Sequence, residues 1–543
     1  MGDPARNLKR LAWERVCRHV DGVTLTSTLA SLYDRGWFDA FRQCKRQRMG
    51  DLLASSPGNG GYLHVGMRAL ASQGWFTREG TAGSEDLCYT LTPFGAAMLT
   101  HAPVYVSAAR HYAAIGHDCI QALAGSCAEG VWGQLCEETL SRSGPSLEDH
   151  PSGDNSQRVR DHVDGLFFVP VLWALSERLH GLSAPSGDYR VDLEAAGIHG
   201  SLAGAVEEAL ARRGWIERGP TGWRLAPLGR AAWPMLAVFQ YPLVYAALLE
   251  NAGELLFGDL NIVRRNSGEE ERHLDRESDI RFSGKVAGGA CRAPFLEMVQ
   301  QSFAGIHPDQ QPAGILDVGS GDGTLLLDAF NSIRAQSQHG MTRDRAPFCA
   351  IGAEYNRAAL RATAAALEAS GAPGLAVFGD IDDPDAIARR LDRHHIRLDD
   401  MLVISKSVIH NRRYRTPSPS TPRLPGPESS SACVGDDGRP IAPSDLARNL
   451  VEHFARWRPY RCKHAMVVIE AHTVEPEIAA PHAGSTIATA LDITHGYSGQ
   501  LLVEIDVYNR AANAAGLRVS RQVTIGRQSL GHDYMTVTHF ETA

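Results

Sequence analysis

The segment GILDVGSGDGTLL, at residues 314–326, restricts the fold of this chain more than any other feature of its sequence. Its first part, 314–318, has the length and apolar composition of a short buried strand. A glycine-rich turn at 319–323 follows, and residues 324–336 have the apolar spacing of an amphipathic helix. A strand, a glycine turn and a helix in this order open the nucleotide-binding type of α/β fold. The second half of the chain is therefore predicted to contain a Rossmann-like sheet.

The glycine turn and the acid before it predict the charge of the bound ligand. Gly319, Gly321 and Gly323 let a ligand approach the backbone closely and leave the N-terminus of the next helix facing it. Asp317 lies near the end of the strand, where its carboxylate would repel a pyrophosphate. The same carboxylate would attract a ligand that carries an amino group and a sulfonium. The sequence therefore favours S-adenosylmethionine over a dinucleotide.

Acids also end the next two predicted strands. The segment CAIGAEYN, 349–356, contains Glu354, whose carboxylate can accept hydrogen bonds from both hydroxyls of a ribose. The segment LAVFGDIDD, 375–383, brings Asp380 close to the expected position of an adenine. Because the carboxyl ends of parallel strands share one edge of a sheet, these acids are expected to border a single pocket.

The remaining strands complete a predicted seven-stranded sheet whose last pair is antiparallel. The fourth and fifth strands lie within 399–414 and 464–474, and the final pair within 518–526 and 534–541. Between the fourth and fifth strands, residues 416–443 are rich in Pro, Ser and Gly. This composition predicts a mobile loop, which is either a lid or an insertion without a function.

The first half of the chain contains an internal repeat. Residues 21–38 resemble 164–182, and residues 67–80 resemble 206–219. The pairs YTLTPFG with WRLAPLG and APVY with PLVY follow in the same order and at similar spacing. Four ordered matches indicate duplication of one supersecondary unit.

Each copy is predicted to be a helix that ends at a glycine, then a tryptophan, a polar turn and a strand. Gly74 and Gly214 lie where a helix C-cap favours glycine. The order predicts a winged-helix-like unit, which binds DNA or serves in packing and dimerisation. The candidate recognition helix at 60–73 has a single arginine, so packing is favoured and the two copies are expected to form a mainly helical lid or scaffold.

Composition excludes several classes of protein. The net charge is −8 without long runs of one sign, which argues against a nucleic-acid partner. No apolar stretch has the length of a membrane span, and the first twenty residues carry charges where a signal peptide is apolar. The ten cysteines include no CxxC pair, so neither a disulfide framework nor a thiolate zinc site is expected. A cytoplasmic protein without a membrane partner is predicted, and a homodimer is left open.

Length predicts about two to four domains. We place the first copy of the repeat at residues 1–145, the second copy and a linker at 146–284, and the sheet-containing core at 285–543.

Three histidines, two acids, a tyrosine and an amide lie at or after the predicted ends of strands four and five. These residues are His410, Glu470, His472, Asp492, His495, Tyr497 and Gln500. Two chemical alternatives follow. One histidine could act as the general base for O-methylation, without a metal. Alternatively, His410 and His495, with Gln500 or an acid, could hold Fe, Mn, Co or Zn on a substrate carbonyl and stabilise the enolate that attacks the methyl group. The base itself is left open between His472 and Tyr497.

Three motifs, LDVGSGDG, VISKSVIHNRRY and THGYSGQ, together with the winged-helix-like first half, resemble the metal-dependent C-methyltransferases. That group belongs to the class I S-adenosylmethionine-dependent methyltransferases. It includes starter-unit methyltransferases of polyketide pathways, such as apratoxin and saxitoxin assembly, and α-keto acid C-methyltransferases of peptide antibiotic pathways. Two features depart from the pattern: Asn411 stands where an acid sometimes follows His410, and no acyl-carrier segment is evident.

The resemblance implies site residues and a substrate class. The implied metal ligands are His410 and His495, with Gln500 as the third. The residues expected to bind S-adenosylmethionine are Asp317, Gly319, Gly321, Asp322, Gly323, Glu354, Asp380, Ile381 and Ser405. The expected substrate in natural-product biosynthesis is a malonyl-type thioester or a 2-oxo acid, as a small molecule or bound to a carrier protein. A metal-free O-methyltransferase and a non-catalytic regulatory or scaffold protein are the alternatives.

Overall fold

The structure is a computed structural model that describes residues 4–115, 154–179, 189–196, 198, 200–263, 272–287, 289–304, 307, 310–336, 348–461, 464–527 and 531–542. The chain divides into two compact units. The first comprises Met1–Gly80, Glu85–Leu274 and Pro476–Ser498, and the second comprises Thr81–Ser84, Asp275–Glu475 and Gly499–Ala543. The predicted boundary between the two repeat copies, at residue 145, lies outside the described residues.

The described α-helices, in chain order, are α1 (Pro4–Asp34), α2 (Asp39–Gln43), α3 (Met49–Ser55), α4 (Gly60–Ser72), α5 (Pro93–Leu99), α6 (Ala102–Ile115), α7 (Asp154–Arg178), α8 (Gly200–Arg212), α9 (Pro227–Ala232), α10 (Gln240–Val244), α11 (Ala246–Glu250), α12 (Ala252–Phe257), α13 (Arg276–Ala287), α14 (Arg292–Gln301), α15 (Thr324–Gln336), α16 (Arg357–Ser370), α17 (Pro384–Asp392), α18 (Pro443–Trp457), α19 (Pro476–Ala479), α20 (Ala488–Tyr497) and α21 (Ile505–Ala514). Short 3-10 helices span Trp233–Phe239, Leu398–Asp400, Arg458–Arg461 and Ala480–His482. Among the described helices, none combines the length and the apolar character needed to cross a membrane.

The strands are β1 (Arg46–Arg48), β2 (Phe76–Glu79), β3 (Cys88–Leu91), β4 (Ile216–Gly219), β5 (Gly222–Leu225), β6 (Gly314–Val318), β7 (Cys349–Glu354), β8 (Gly374–Phe378), β9 (Met401–Lys406), β10 (Met466–Ala471), β11 (Leu517–Ile525) and β12 (Met535–Thr542). In the first unit, β1, β3 and β2 form one small antiparallel sheet, and β4 pairs with β5.

In the first unit, the two copies of the repeat pack against each other through α1 and α7. Both helices contain the sequence His-Val-Asp-Gly, at 19–22 and at 162–165. A Cβ atom on Gly22 would lie 1.9 Å from the carbonyl oxygen of His162, and one on Gly165 would lie 2.2 Å from that of His19. Only glycine permits this approach, so equivalent positions of the two copies form the helix crossing.

Each copy also has the predicted order of helix, glycine and hairpin. Helix α4 precedes Gly74 and the β2–β3 pair, and helix α8 precedes Gly214 and the β4–β5 pair. Both glycines have a positive φ, of 78° and 72°, which closes the helix and turns the chain into the first strand. The label winged helix stays a prediction for this order of elements.

The second unit contains a seven-stranded sheet in the order β11-β12-β10-β9-β6-β7-β8. Strands β6 to β10 are parallel, β12 runs antiparallel to β10, and β11 pairs antiparallel with β12. The predicted sheet and its antiparallel last pair are therefore confirmed.

Alternate residues of the sheet point to two cores, one on each face. Ile315 packs with residues of α14 and α15, and Leu316 packs with residues of α17, α18 and α21. Helices thus cover both faces, and the carboxyl ends of the parallel strands are left as the edge at which a ligand binds in such a sheet.

The segment 416–443 differs from the predicted mobile loop, because long side chains fix its backbone. Arg448 donates from Nε to the carbonyl oxygen of Thr421 at 2.8 Å, and Arg510 donates to those of Pro425 and Pro427. Glu504 accepts from the backbone N–H of Ser430 at 2.8 Å, while Cys433 and Ile441 are buried in the core. Composition alone did not reveal these partners, which lie on α18 (Arg448), on α21 (Arg510) and directly before α21 (Glu504).

Candidate functional site

The glycine turn after β6 forms a backbone cradle. Gly319, Gly321 and Gly323 all have positive φ values, of 78°, 57° and 80°. A Cβ on Gly319 would lie 2.4 Å from Cγ1 of Val408, whereas one on Gly321 would meet no described atom within 4 Å. The turn is therefore closely packed on one side and open on the other. An open, glycine-lined turn at a helix N-terminus accommodates a ligand closely.

Glu354 ends β7 beside this turn, and its carboxylate is already oriented. Oε1 accepts from the backbone N–H groups of Tyr355, at 2.9 Å, and Asn356, at 3.0 Å, and Oε2 accepts from that of Gly321, at 3.2 Å. Burial raises the pKa of Glu354, and these donors oppose the rise. The carboxylate is thus fixed at the end of the strand, where it can accept from a ribose.

Asp317 and Ser405 lie on the adjacent strands β6 and β9, and both have polar atoms without a described partner. Asp317 is 1% exposed and Ser405 is 0% exposed, and neither Oδ1 of Asp317 nor Oγ of Ser405 has a hydrogen-bond partner among the described residues. Burial, together with the nearby carboxylate of Glu354, raises the pKa of Asp317 to about 8. Unpaired buried polar atoms are costly, so this arrangement favours a polar or cationic ligand.

The other predicted cofactor residues have local roles. Asp322 accepts from the backbone N–H of Thr324 at 2.9 Å, at the start of α15. Asp380 is exposed and accepts from the N–H of Asp382 at 2.9 Å, while Ile381 is buried. These residues, the glycine cradle and Glu354 come together at the carboxyl ends of β6, β7 and β8, and their chemistry fits S-adenosylmethionine.

Two residues beside this pocket were missed by sequence reasoning. Lys406 ends β9, and its Nζ donates to Oγ of Ser283 at 2.8 Å; burial lowers its pKa to about 8. Tyr355 follows Glu354, and its ring is 40% exposed. A tyrosine directly after an acid at a predicted strand end was a signal available in the sequence.

His410 forms a buried pair with Glu470. Nδ1 of His410 is hydrogen-bonded to Oε1 of Glu470, which also accepts from the N–H of Ala471 at 2.9 Å, while Oε2 accepts from that of Ile409 at 3.0 Å. Burial raises the pKa of Glu470, but His410 offsets this and the net pKa is lowered. The carboxylate therefore accepts from Nδ1 of His410 and orients the ring, with Nε2 on its opposite side.

Gln500 is held near this pair by a backbone hydrogen bond of the residue that follows it. The N–H of Leu501 donates to the carbonyl oxygen of His410 at 2.7 Å, so the segment carrying Gln500 is bonded to the segment carrying His410. The side chain of Gln500 is buried.

His472 lies deeper in the second unit. Nε2 contacts Oγ1 of Thr536 at 2.8 Å, and Nδ1 contacts the carbonyl oxygen of Val503 at 3.3 Å. Burial lowers the pKa of His472 to about 4. Both ring nitrogens thus have partners, which favours a structural role, and its assignment as a base stays a prediction.

His495 and Tyr497 lie on α20, which belongs to the first unit. Nδ1 of His495 contacts the carbonyl oxygen of Leu491 at 2.8 Å and the hydroxyl of Tyr241 at 3.1 Å. The hydroxyl of Tyr497 bonds to Oγ1 of Thr28 at 2.9 Å, and burial raises its pKa. Nδ1 of His495 thus has oxygen partners, as Nδ1 of His410 does, and these partners orient the ring.

The predicted metal site has no counterpart among residue clusters of the described ranges. No group of three or more His, Cys, Asp and Glu side chains is arranged there to hold a metal ion. The donor chemistry of the predicted ligands does fit a divalent cation, since each histidine has its Nδ1 fixed by an oxygen partner, as metal-binding histidines do. The metal stays a proposal.

Comparison with protein families identifies the class of the protein. Residues 271–538 match the family described as the AprA MT2-like domain. With the seven-stranded sheet and the glycine cradle, this match makes the chain a class I S-adenosylmethionine-dependent methyltransferase, as predicted.

Within that class, the chain resembles methyltransferases of the AprA type. Residues 13–78 separately match the family described as the AprA N-terminal domain, so the likeness includes part of the first unit.

Solved structures with a similar arrangement include the mitomycin 7-O-methyltransferase MmcR (13% identity, 71% of this chain, 97% of that chain, TM-score 0.40). Also similar is an O-methyltransferase family protein from Burkholderia thailandensis (13% identity, 69% of this chain, 93% of that chain, TM-score 0.40). The CurJ carbon methyltransferase is similar as well (12% identity, 68% of this chain, 90% of that chain, TM-score 0.33). At these TM-scores the likeness does not bear on substrate or mechanism. A comparison with curated proteins gave no match.

Proposed function

We propose that the chain methylates a carbon α to a carbonyl in natural-product biosynthesis. The expected substrate is a malonyl-type thioester or a 2-oxo acid, free or bound to a carrier protein. The match to the AprA MT2-like domain over 271–538 supports the class of reaction. The single observation that carries the chemistry is the buried His410–Glu470 pair.

In this proposal, Nε2 of His410 accepts the proton from the α-carbon, and Glu470 stabilises the imidazolium that forms. The electron pair of the broken C–H bond would form the new C–C bond to the methyl group, and the electron pair of the S–CH3 bond would stay on sulfur. The products are the methylated substrate and S-adenosylhomocysteine, and the proton leaves from His410 to solvent. When bound, S-adenosylmethionine supplies the electrophilic methyl group.

The residues of the cofactor pocket bind and orient. Asp317 would face the cationic end of the cofactor, and Glu354 would accept from the ribose, so that the sulfonium is directed to the cradle of Gly319 and Gly321. Placing reactants in this way converts a bimolecular step into an effectively unimolecular one.

A divalent cation would supply Lewis-acid stabilisation of the enolate. In this metal-assisted alternative Nε2 of His410 would bind the cation and would not take the proton, and His410, His495 and Gln500 are the ligands that we propose. If a metal occupies Nε2 of His410, Glu470 orients that ligand and raises its basicity.

O-methylation is the second candidate function. It is supported by the same pair, because a carboxylate-oriented histidine is sufficient to deprotonate a hydroxyl without a metal.

Product analysis separates the two functions. The purified chain is incubated with S-adenosylmethionine and a panel of malonyl thioesters, 2-oxo acids and their hydroxylated analogues, with and without EDTA, and mass spectrometry locates the added methyl group. We expect methylation at carbon that His410→Gln and Glu470→Gln reduce at least about a hundredfold, on the scale of general base catalysis.

The matched control is His394→Gln, which removes an exposed histidine. Methylation only at oxygen would replace the first function by the second. Full turnover by His410→Gln would remove both assignments of this residue.

A further inference from the structure

One buried arginine, Arg412, ties the segment that carries His410 to the segment that carries Gln500. Its Nη1 donates to the carbonyl oxygen of Ile409 at 3.1 Å and to that of Leu501 at 3.1 Å. The N–H of Leu501 donates in turn to the carbonyl oxygen of His410 at 2.7 Å. Both backbone groups of Leu501 are thus engaged by the turn 409–412, and the residue before it, Gln500, is fixed beside the turn.

The guanidinium of Arg412 is unusual for a charged group. It is 2% exposed, and no carboxylate among the described residues forms an ion pair with it. Its Nε donates to the amide oxygen of Asn449 at 2.9 Å, and its Nη2 has no described partner. Burial lowers its pKa only to about 10, so the group is charged at neutral pH.

A buried cation without an ion-pair partner costs free energy, and an apolar side chain of similar volume would avoid that cost. The charge is therefore not explained by packing. What arginine supplies is geometry, since a planar fork of donors can engage carbonyl oxygens of two separate segments and an amide oxygen at once. A lysine carries its three donors on one terminal nitrogen, so it cannot replace Nε and Nη1 together.

The carboxylates of Asp382 and Glu470 both attract the charge of Arg412, although neither forms an ion pair with it. Glu470 is also the partner of His410 and of the N–H of Ile409. The turn 409–412 is consequently fixed from two sides, by Glu470 at its start and by Arg412 at its end. His410 lies between the two.

We infer that Arg412 is a positioning residue, which sets the ring of His410 and the side chain of Gln500 relative to each other. This inference rests on the proposed function, in which His410 accepts the proton or holds a cation. It assigns to Arg412 no contact with the substrate.

The test uses the full chain with Arg412→Lys and Arg412→Met. The lysine keeps the charge and loses the fork, and the methionine keeps most of the volume and loses both. The matched control is Arg448→Met, because Arg448 also donates to backbone carbonyl oxygens, those of Thr421 and Ser418, in the segment 416–443.

Three kinds of measurement are made. They are kcat and KM with a substrate accepted from the panel, the calorimetric affinity for S-adenosylhomocysteine, and the NMR resonance of histidine labelled with 13C at Cε1, in which the signal of His410 is assigned by its loss in His410→Gln. A misplacement of about 1 Å can cost on the order of a hundredfold in rate, so we expect kcat to fall about ten- to a hundredfold in both variants, less in the lysine. KM and cofactor affinity should change less than about twofold, the His410 resonance should move, and Arg448→Met should leave all three unchanged.

Wild-type kcat and an unmoved His410 resonance in folded Arg412→Met would overturn the inference. Should that variant not fold, Arg412→Lys and Asn449→Ala, which removes the partner of Nε, decide in the same way. If His410→Gln retains full turnover, the proposed function fails, and the resonance of His410 in the Arg412 variants still reports whether Arg412 positions the ring.

Discussion

The two copies of the repeat differ at one buried charge, and this difference predicts how stability depends on pH. Asp164, in the second copy, accepts from Nε of Arg213 at 2.7 Å. Asp21 is the equivalent acid of the first copy, and Gln73 occupies the position of that arginine. Asp21 is 0% exposed, and neither carboxylate oxygen has a hydrogen-bond partner of normal geometry among the described residues.

The magnitude follows from the pKa. Burial raises the pKa of Asp21 from 3.8 to about 7, while Gln73, the backbone of Gly484, and the cations Arg158 and Arg18 oppose the rise. The folded state therefore retains a proton that the unfolded state loses above about pH 4, and stability falls by roughly 1.4 kcal/mol per pH unit up to about pH 7. The full contribution, present below pH 4 and lost above pH 7, is roughly 4 kcal/mol.

The perturbations are Asp21→Asn and Gln73→Arg. The asparagine cannot ionise, and the arginine restores the pair of the second copy, so both should flatten the fall in stability between pH 5 and pH 8. Gln73→Arg also overpacks a buried site, at a cost of about 1–3 kcal/mol, so the slope with pH and not the absolute stability is the measure. The reverse change, Arg213→Gln, should steepen the fall.

Urea unfolding followed by tryptophan fluorescence is the assay. Eight of the nine tryptophans belong to the first unit, as do all four residues concerned, so the signal reports the relevant part of the chain. We expect wild type to lose about 3 kcal/mol more than Asp21→Asn between pH 5 and pH 8. Parallel curves for the two proteins would show that Asp21 is ionised at ordinary pH and would refute the reasoning.

Three other changes have defined outcomes. Gly165→Ala should destabilise the first unit by several kcal/mol, because the new Cβ would lie 2.2 Å from a carbonyl oxygen. Gly204→Ala on α8, where a Cβ would meet nothing within 4 Å, should stabilise it by about 1 kcal/mol. Equal unfolding midpoints for the two variants would contradict this. The pKa of Asp317 is raised to about 8, and S-adenosylmethionine should bind its ionised form. The affinity should therefore rise from pH 6.5 towards pH 8.5, and calorimetry in two buffers should show that binding releases a proton. Asp317→Asn should show neither effect. Glu354→Ala should weaken cofactor binding by roughly 1–3 kcal/mol, and unchanged affinity would rule out its ribose role.

Local patterns made the cofactor pocket predictable. The strand, turn and helix at 314–336 lie where the apolar periodicity and the glycine spacing predict them. The positions of Glu354 and Asp380 at the pocket follow from the rule that ligands bind at the carboxyl ends of parallel strands. Each of these inferences uses residues close together in the chain. The order of the strands then follows from the fold class.

Long-range contacts were not predictable in this way. The sequence placed His410 and Glu470 at neighbouring strand ends, but it could not show that Nδ1 of one bonds to the carboxylate of the other. It also gave no sign of the role of Arg412. Two of its partners are backbone carbonyl oxygens, which every residue has, so they cannot be recognised from residue type. The segment 416–443 was misjudged for the same reason.

The repeat shows that similar sequences can make different long-range contacts, because the two copies contact the same helix, α20, through different positions. In the first copy, Arg68 forms a buried ion pair with Asp492 of α20, and Gln73 donates to Oγ1 of Thr489 at 2.8 Å. In the second copy, the hydroxyl of Tyr241 contacts His495. Asymmetry between the copies is thus concentrated on the helix that carries two candidate site residues. Residue 73 belongs to this asymmetry, since Gln73 donates to Thr489 whereas Arg213, at the equivalent position of the second copy, donates to Asp164. Asp21 therefore lacks the ion pair that Arg213 gives to Asp164, while the side chain of Gln73 contacts α20 instead.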